Sequence, residues 1–190
     1  DFLTEELGFT GNFFYLPNQF WSHKNHITVF KAVNILKKKG LDITVVTTGS
    51  HNDYRDGGQH FENLLQYVKD NNLENNILFL GLIPYAKVFS LMKHSLSIIN
   101  PSYFEGWSST VEESKSIDKT IILSNIPVHR EQNPKRGIFF DPDDKNTLAD
   151  ILELVWKNEY VFEHSSLLEN ESTLEMRTKI FSDKFYEIIK

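Results

Sequence analysis

Six short apolar runs, separated by polar loops and amphipathic segments, limit what this chain can become. The runs are NFFYL (12–16), ITVVTTG (43–49), ILFLG (77–81), LSIIN (96–100), TIILSN (120–125) and GIFFD (137–141). They are nearly continuous in Phe, Ile, Leu and Val instead of alternating with polar residues, which is the pattern of strands covered on both faces. Between them the period changes. Val29, Val33 and Leu36 recur at i, i+4 and i+7 in a helix expected from about Lys24 to Lys39, which Gly40 would stop. HFENLLQYVKDNN (60–72) and YAKVFSLMKH (85–94) are further helices, and two more are expected near 145–158 and 174–189. Alternating strands and helices of this kind make an α/β domain with a doubly wound parallel sheet.

Composition removes several classes of function. A chain of 190 residues accommodates one domain with a sizeable core, and its 20 Lys and Arg against 26 Asp and Glu leave a formal charge of −6. Such a surface has no broad basic field for nucleic acid, so any anion must be held locally. With no cysteine there is neither a disulfide nor a thiolate metal site. No apolar stretch reaches the roughly 20 residues that span a bilayer, and a cytoplasmic location is the default expectation.

In doubly wound sheets ligands bind beyond the carboxyl ends of the strands. The unusual residues of this chain collect there: PNQFWSHK after the first run, GSHNDYRDGG after the second, GLIP after the third, PSYFEGWSS after the fourth and NIPVHRE after the fifth. The fourth loop leads into a helix whose start is crowded with acids. Ser109-Thr110-Val111-Glu112 fits a capping box, in which Ser109 and Glu112 satisfy each other's free amides. That accounts for Glu112 and leaves Glu105 and Glu113 with two readings. They are solvated carboxylates near a positive helix end, or they accept hydrogen bonds from sugar hydroxyls while the amides at 107–110 hold a phosphate.

Glu105, seven intervening residues, then Glu113, after PSYFEG and before TIILSNIPVHRE, resembles the donor-site motif of retaining glycosyltransferases of the GT-B fold, family 4. FFYLPNQFWSHKNH is similar to that family's first strand and phosphate loop, ILFLGLIPYAKV to its base-binding turn, and GIFFDPDDKNTLADIL to its strand, turn and helix near the end. The resemblance implies a UDP- or GDP-sugar donor and a glycan or lipid-linked acceptor, as in bacterial surface polysaccharide synthesis. It also implies transfer with retained anomeric configuration and neither metal nor other cofactor. Carried over by residue, Lys24 and Glu105 are the expected catalytic groups. Lys24 would bind the pyrophosphate, Glu105 the donor sugar, Glu113 the ribose, and Gly81 and Leu82 the base. Gly106 and the amides of Trp107, Ser108, Ser109 and Thr110 would cradle sugar and distal phosphate. Gln19 stands where many members carry arginine, so the site has less positive charge unless Arg130 or His23 supplies it.

His23, His26, His51 and His60 invite a metal reading, but a pair spaced HxxH without Cys or a clear carboxylate partner is a weak ligand set, and none is expected. A GT-B enzyme has two Rossmann-like halves, and this sequence contains one. Residues 1–11 are expected to be the remnant of an interdomain connector and 12–190 the donor-binding domain. The amino-terminal acceptor domain, the partner through which any membrane attachment would come, is expected to be missing. The competing expectations are a non-catalytic nucleotide- or sugar-binding module and an inactive scaffold partner of a transferase. Because Lys24, Glu105 and Glu113 are all present, active parentage is favoured over both.

Overall fold

The computed structural model describes residues 11–51 and 58–161. The chain divides into two compact units, Asp1–Tyr160 and Val161–Lys190, and every element below belongs to the first. The connector expected at the amino terminus, all but its last residue, and the helix expected at 174–189 lie outside the described residues.

Six parallel strands form one sheet: β1 Phe14–Leu16, β2 Val45–Thr47, β3 Ile77–Phe79, β4 Ile98–Asn100, β5 Ile121–Ser124 and β6 Gly137–Phe140. Their order is β3-β2-β1-β4-β5-β6. The helices are α1 His26–Lys38, α2 Gln59–Asp70, α3 Tyr85–His94, α4 Ser109–Ser116, α5 Pro127–Gln132 and α6 Lys145–Trp156. The continuous apolar runs are explained by this order, since β1, β2, β4 and β5 are buried throughout while the edge strands β3 and β6 are only partly so.

Side chains of β1 alternate between two cores. Phe13 and Tyr15 join Val46, Ile98 and Ile121 under Leu91 and Met92 of α3 and Val111 of α4. On the opposite face Phe14 meets Trp156 of α6, ring centroids 5.9 Å apart, and α1 packs along α6. A second aromatic group on that side, Phe20, Phe30, Phe61 and Phe79, ties α1 and α2 to the loop after β1.

After β1 the chain builds β2 and β3 on one side of it, then returns past β1 to build β4, β5 and β6 on the other. Tyr15 pairs with Val46 on one side and Ile98 on the other. The loops leaving β1 and β4 therefore part in opposite directions and leave a crevice between them. That crevice is where Lys24 and Glu105 meet.

Two local features depart from expectation. α1 begins at His26, not Lys24, because Ser22–Lys24 is a short 3-10 turn and Asn25 adopts left-handed backbone, φ 55° and ψ 38°. Asn25 is fully buried, and its side-chain amide donates to Pro101 O at 3.0 Å and Pro142 O at 2.9 Å, so one residue ties together the loops after β1, β4 and β6. The segment NIPVHRE is not only a loop, for residues from Pro127 onward form α5, with proline at its first turn where no amide is needed. The stop at Gly40 is as expected, with φ +82° just past the helix end. The rim loops after β1 and β2 touch so closely that Gly49 admits no side chain, since a Cβ there would lie 2.4 Å from Asn18 O.

Candidate functional site

Lys24 sits at the end of the 3-10 turn, aimed across the crevice by the Asn25 joint. Its Nζ donates to both oxygens of Glu105, at 2.7 Å each, and the side chains are 14% and 9% exposed. Ser102 Oγ lies 2.7 Å from Glu105 Oε1 and 2.9 Å from Asn100 Oδ1, with one proton to give to either. Asn100 donates from Nδ2 to Ser108 Oγ at 2.8 Å and accepts from Asn18 Nδ2 at 3.3 Å. Behind this layer Ser124 Oγ donates to Ser102 O, and His129 Nδ1 donates to Ser124 O at 2.9 Å. Burial holds the His129 imidazole below its ordinary pKa, and donation to a carbonyl keeps the proton on Nδ1. The pair Lys24–Glu105 thus caps a buried polar chain running back through β4 to β5 and α5.

In front of the pair is a cleft of about 410 Å³ lined by Trp21, His23, Lys24, Phe104, Glu105 and Gly106, a volume that suits a small ligand. Phe104 in its lining is 67% exposed, and Trp107, next in the chain after Gly106, is 57% exposed. No added Cβ at Gly106 would meet anything, so that residue leaves the cleft open instead of filling a crowded turn.

The helix that follows is capped one residue earlier than the sequence motif suggests. Ser108, not Ser109, has the extended cap conformation, and its Oγ accepts from Val111 N at 3.4 Å. The cause is Ser108's anchorage. It is buried and held by Asn100 and by Gln132, whose Oε1 accepts from Ser108 N at 3.4 Å and whose Nε2 donates to Ser108 O at 2.8 Å. The third position of the helix is consequently Val111, and the expected Ser109–Glu112 box does not form. Glu112 instead accepts from Gln132 Nε2 at 2.9 Å and pairs with Lys115 at 3.0 Å. Ser108 N is therefore occupied, whereas the amides of Ser109 and Thr110 at the helix start have no partner among the described residues.

Glu113, a turn into α4, is bound differently from Glu105. Tyr85 OH donates to its Oε1 at 2.8 Å, and Oε2 carries no hydrogen bond among the described residues. Tyr85 opens α3, just after Gly81, which has φ +65°, and Leu82, which is 74% exposed. Gly49 N donates to Gly81 O at 3.0 Å, so this turn is stitched to the loop after β2.

Of the two candidates for extra positive charge, Arg130 is engaged by Phe139 and Asn125 and His23 lines the cleft. Gln19 Oε1 accepts from Ser50 N at 2.5 Å, a bond arginine could not make. Arg130 lies with Cζ 3.8 Å over the Phe139 ring while its Nε donates to Asn125. His23 does line the cleft. His26 is fully buried, its ring stacked on Phe20 at 4.3 Å and its Nε2 3.3 Å from Asn18 O. Desolvation drives its pKa down to about 3, so it is a neutral core residue. His51 stacks on Phe61 at 3.9 Å. No group of three metal-ligating side chains occurs among the described residues.

The sequence therefore marked Lys24, Glu105 and Glu113, and the structure puts the first two in contact and the third on the adjoining helix. It did not mark Asn25, Asn100, Ser102, Ser124, His129, Gln132 or Tyr85 as members of the site. For Asn100 a signal existed, a polar residue closing the apolar run LSIIN, since a buried amide at the end of an inner strand needs partners.

Comparison with known proteins agrees with this architecture. The O-antigen biosynthesis glycosyltransferase WclY of Escherichia coli is 27% identical over 168 residues, 83% of this chain and 47% of WclY. The chain thus spans about half the length of that curated relative. The structure of HepE from Anabaena in complex with UDP-glucose superposes with TM-score 0.71 at 18% identity, covering 83% of this chain and 43% of HepE. A carboxyl-terminal domain of a group 1 glycosyl transferase, LpcC of Francisella tularensis, superposes with TM-score 0.66 at 21% identity, over 80% of this chain and 78% of that one. At these identities the two structures show the fold alone, the GT-B carboxyl-terminal half with its parallel six-stranded sheet. The family model of glycosyl transferases group 1 matches residues 5–173, and the chain with its Lys24–Glu105 crevice belongs to that family.

Proposed function

We propose that this chain is the donor-binding half of a retaining glycosyltransferase that takes a UDP- or GDP-sugar. It would transfer the sugar to a glycan or lipid-linked acceptor in surface polysaccharide synthesis, with the acceptor held by a second domain. The observation that carries the reading is the Lys24–Glu105 pair at the β1/β4 crevice, followed in the chain by the helix whose first amides, of Ser109 and Thr110, have no partner among the described residues and whose second turn carries Glu113.

In this reading each group answers one part of the donor. The Lys24 ammonium and the amides of Ser109 and Thr110 bind the diphosphate, with Gly106 and Trp107 bordering the sugar. Glu105 accepts from sugar hydroxyls, Glu113 from the ribose, and the Gly81–Leu82 turn lies against the base. During transfer the bond from the anomeric carbon to the diphosphate oxygen breaks and its electron pair stays on the diphosphate, while a new bond forms from that carbon to an acceptor hydroxyl oxygen, whose proton passes to the departing diphosphate. The chief electrostatic task is to stabilise the departing diphosphate, and a fixed ammonium beside helix amides is suited to it without a metal.

The relation to an O-antigen glycosyltransferase supports the pathway class, and the HepE complex with UDP-glucose supports the donor class. The isolated chain should fold and bind nucleotide but turn over no sugar, because the acceptor site and the closing of two domains are needed for transfer. Calorimetric titration of UDP, GDP and their sugars, with and without chelator, tests this. Chelator-sensitive binding would reassign the glutamates as metal ligands, and no binding to any nucleotide would favour a scaffold without chemistry.

A further inference from the structure

The two glutamates of the site are held in opposite ways. Both oxygens of Glu105 face the Lys24 ammonium, so its charge is compensated. Glu113 is held by the phenol of Tyr85, a neutral donor, at 2.8 Å on Oε1 alone. A phenol can orient a carboxylate without neutralising it. We infer that Tyr85 is a positioning residue that fixes the Glu113 carboxylate so that Oε2 is presented to the ribose hydroxyls of the donor nucleotide. The inference rests on the assignment of Glu113 to the ribose.

Three features support it. The contact joins elements 28 residues apart, the first residue of α3 and the second turn of α4, whose inner faces are packed on the same core through Leu91, Met92 and Val111. The distance between phenol and carboxylate is thus set by a rigid floor and not by a flexible loop. The Tyr85 ring, although 62% exposed, packs edge-on against Phe89 one turn on, centroids 5.1 Å apart and planes at 68°, which favours the rotamer that carries the hydroxyl to Glu113. Finally, a half-buried glutamate still has several rotamers, and a single oriented one spares the ligand the entropy of choosing it. The hydrogen bond also raises the Tyr85 phenol above its ordinary pKa, so it remains a donor across the neutral range.

The test is calorimetry on the full chain with UDP and with its 2′,3′-dideoxy analogue, for the unaltered protein, Tyr85→Phe, Glu113→Ala and the double variant. Tyr85→Phe should weaken UDP roughly three- to tenfold and leave the dideoxy analogue unchanged, because only the hydroxyl that orients Glu113 has gone. Glu113→Ala should weaken UDP roughly ten- to hundredfold, and the double variant should be no worse than Glu113→Ala. If Glu113→Ala loses UDP affinity but Tyr85→Phe does not, the positioning role is wrong and the ribose assignment stands. If Tyr85→Phe weakens both ligands equally, Tyr85 touches base or phosphate directly and the inference fails. With GDP and its dideoxy analogue in place of UDP should the chain prefer guanine, the same outcomes apply; if Glu113→Ala binds the nucleotide like the unaltered chain, or that chain binds neither UDP nor GDP, the ribose assignment falls and the inference with it.

Discussion

Lys24 Nζ lies 2.7 Å from each carboxylate oxygen of Glu105, so the cation assigned to the donor phosphates is already spoken for by the acid assigned to the donor sugar. On the proposed function, a bound diphosphate would compete with Glu105 for the same ammonium. A donor sugar would relieve that competition by offering its hydroxyls to the carboxylate as the phosphates drew Lys24 away. The intact nucleotide sugar would then repair what the nucleotide alone disturbs.

Glu105→Gln should therefore free Lys24 and tighten binding of bare UDP by a few-fold, while Lys24→Gln should abolish it. Both changes break a pair that is mostly buried, and stability should fall by about 1–3 kcal/mol for Lys24→Gln, less than for a fully dry pair. Calorimetry and urea unfolding of the same proteins read the two effects. Weaker UDP binding by Glu105→Gln would mean that the carboxylate aligns the lysine for phosphate and does not compete with it.

Ser108 caps α4 and accepts from buried Asn100. Ser108→Ala should lose the cap and strand that amide, about 2 kcal/mol in all by denaturant unfolding. Glu112→Ala should cost less, below about 1 kcal/mol, because its pair with Lys115 is half exposed. Ser109→Ala should change stability by no more than about 0.5 kcal/mol. A larger loss at Ser109 than at Ser108 would restore the capping box expected from the sequence.

Asn25 has a backbone role and a side-chain role that different variants separate. Asn25→Gly keeps the left-handed conformation and loses the hydrogen bonds to Pro101 and Pro142, for a loss of about 2 kcal/mol. Asn25→Ala loses both and should be less stable than Asn25→Gly by about 1 kcal/mol. Equal melting midpoints would show that φ at this joint carries no strain.

His26 makes stability depend on pH with a definite sign. Its folded pKa, about 3, lies below the usual 6.5 of an unfolded histidine. The unfolded chain therefore binds the extra proton between these values, and stability is full above pH 6.5 and declines as pH falls towards 3. The full effect is on the order of a few kcal/mol. His26→Gln should flatten the slope of unfolding free energy between pH 6.5 and 4, and an unchanged slope would assign it to carboxylates alone.

The sheet was legible because most of its strands are inner ones. LSIIN and TIILSN declare burial on both faces by composition alone, and Gly40 marks a helix end for a steric reason that does not depend on neighbours. The site was legible only where charge is conspicuous, as in Lys24, Glu105 and Glu113. What escaped was register and partnership. Ser108 and Ser109 are interchangeable by propensity, and only Asn100 and Gln132, 8 and 24 residues away, decide which one caps the helix. Likewise Gln19 reads as a weakened arginine until Ser50 N is found on its carbonyl oxygen. α5 was missed because six residues are too few to show a period, and its two buried polar side chains, His129 and Gln132, hide the apolar face that would have announced it.

Ser102 stands between two acceptors with one hydrogen, close to Asn100 on the strand side and to Glu105 on the cleft side. When a ligand pulls Glu105 aside, the hydroxyl has only to turn about its own C–O bond to find Asn100, and nothing behind it has to move. The crevice thus contains a swivel. Its front acid can change allegiance while Ser102 stays hydrogen-bonded to Asn100 beneath, so occupancy of the site need not be transmitted into the sheet as strain.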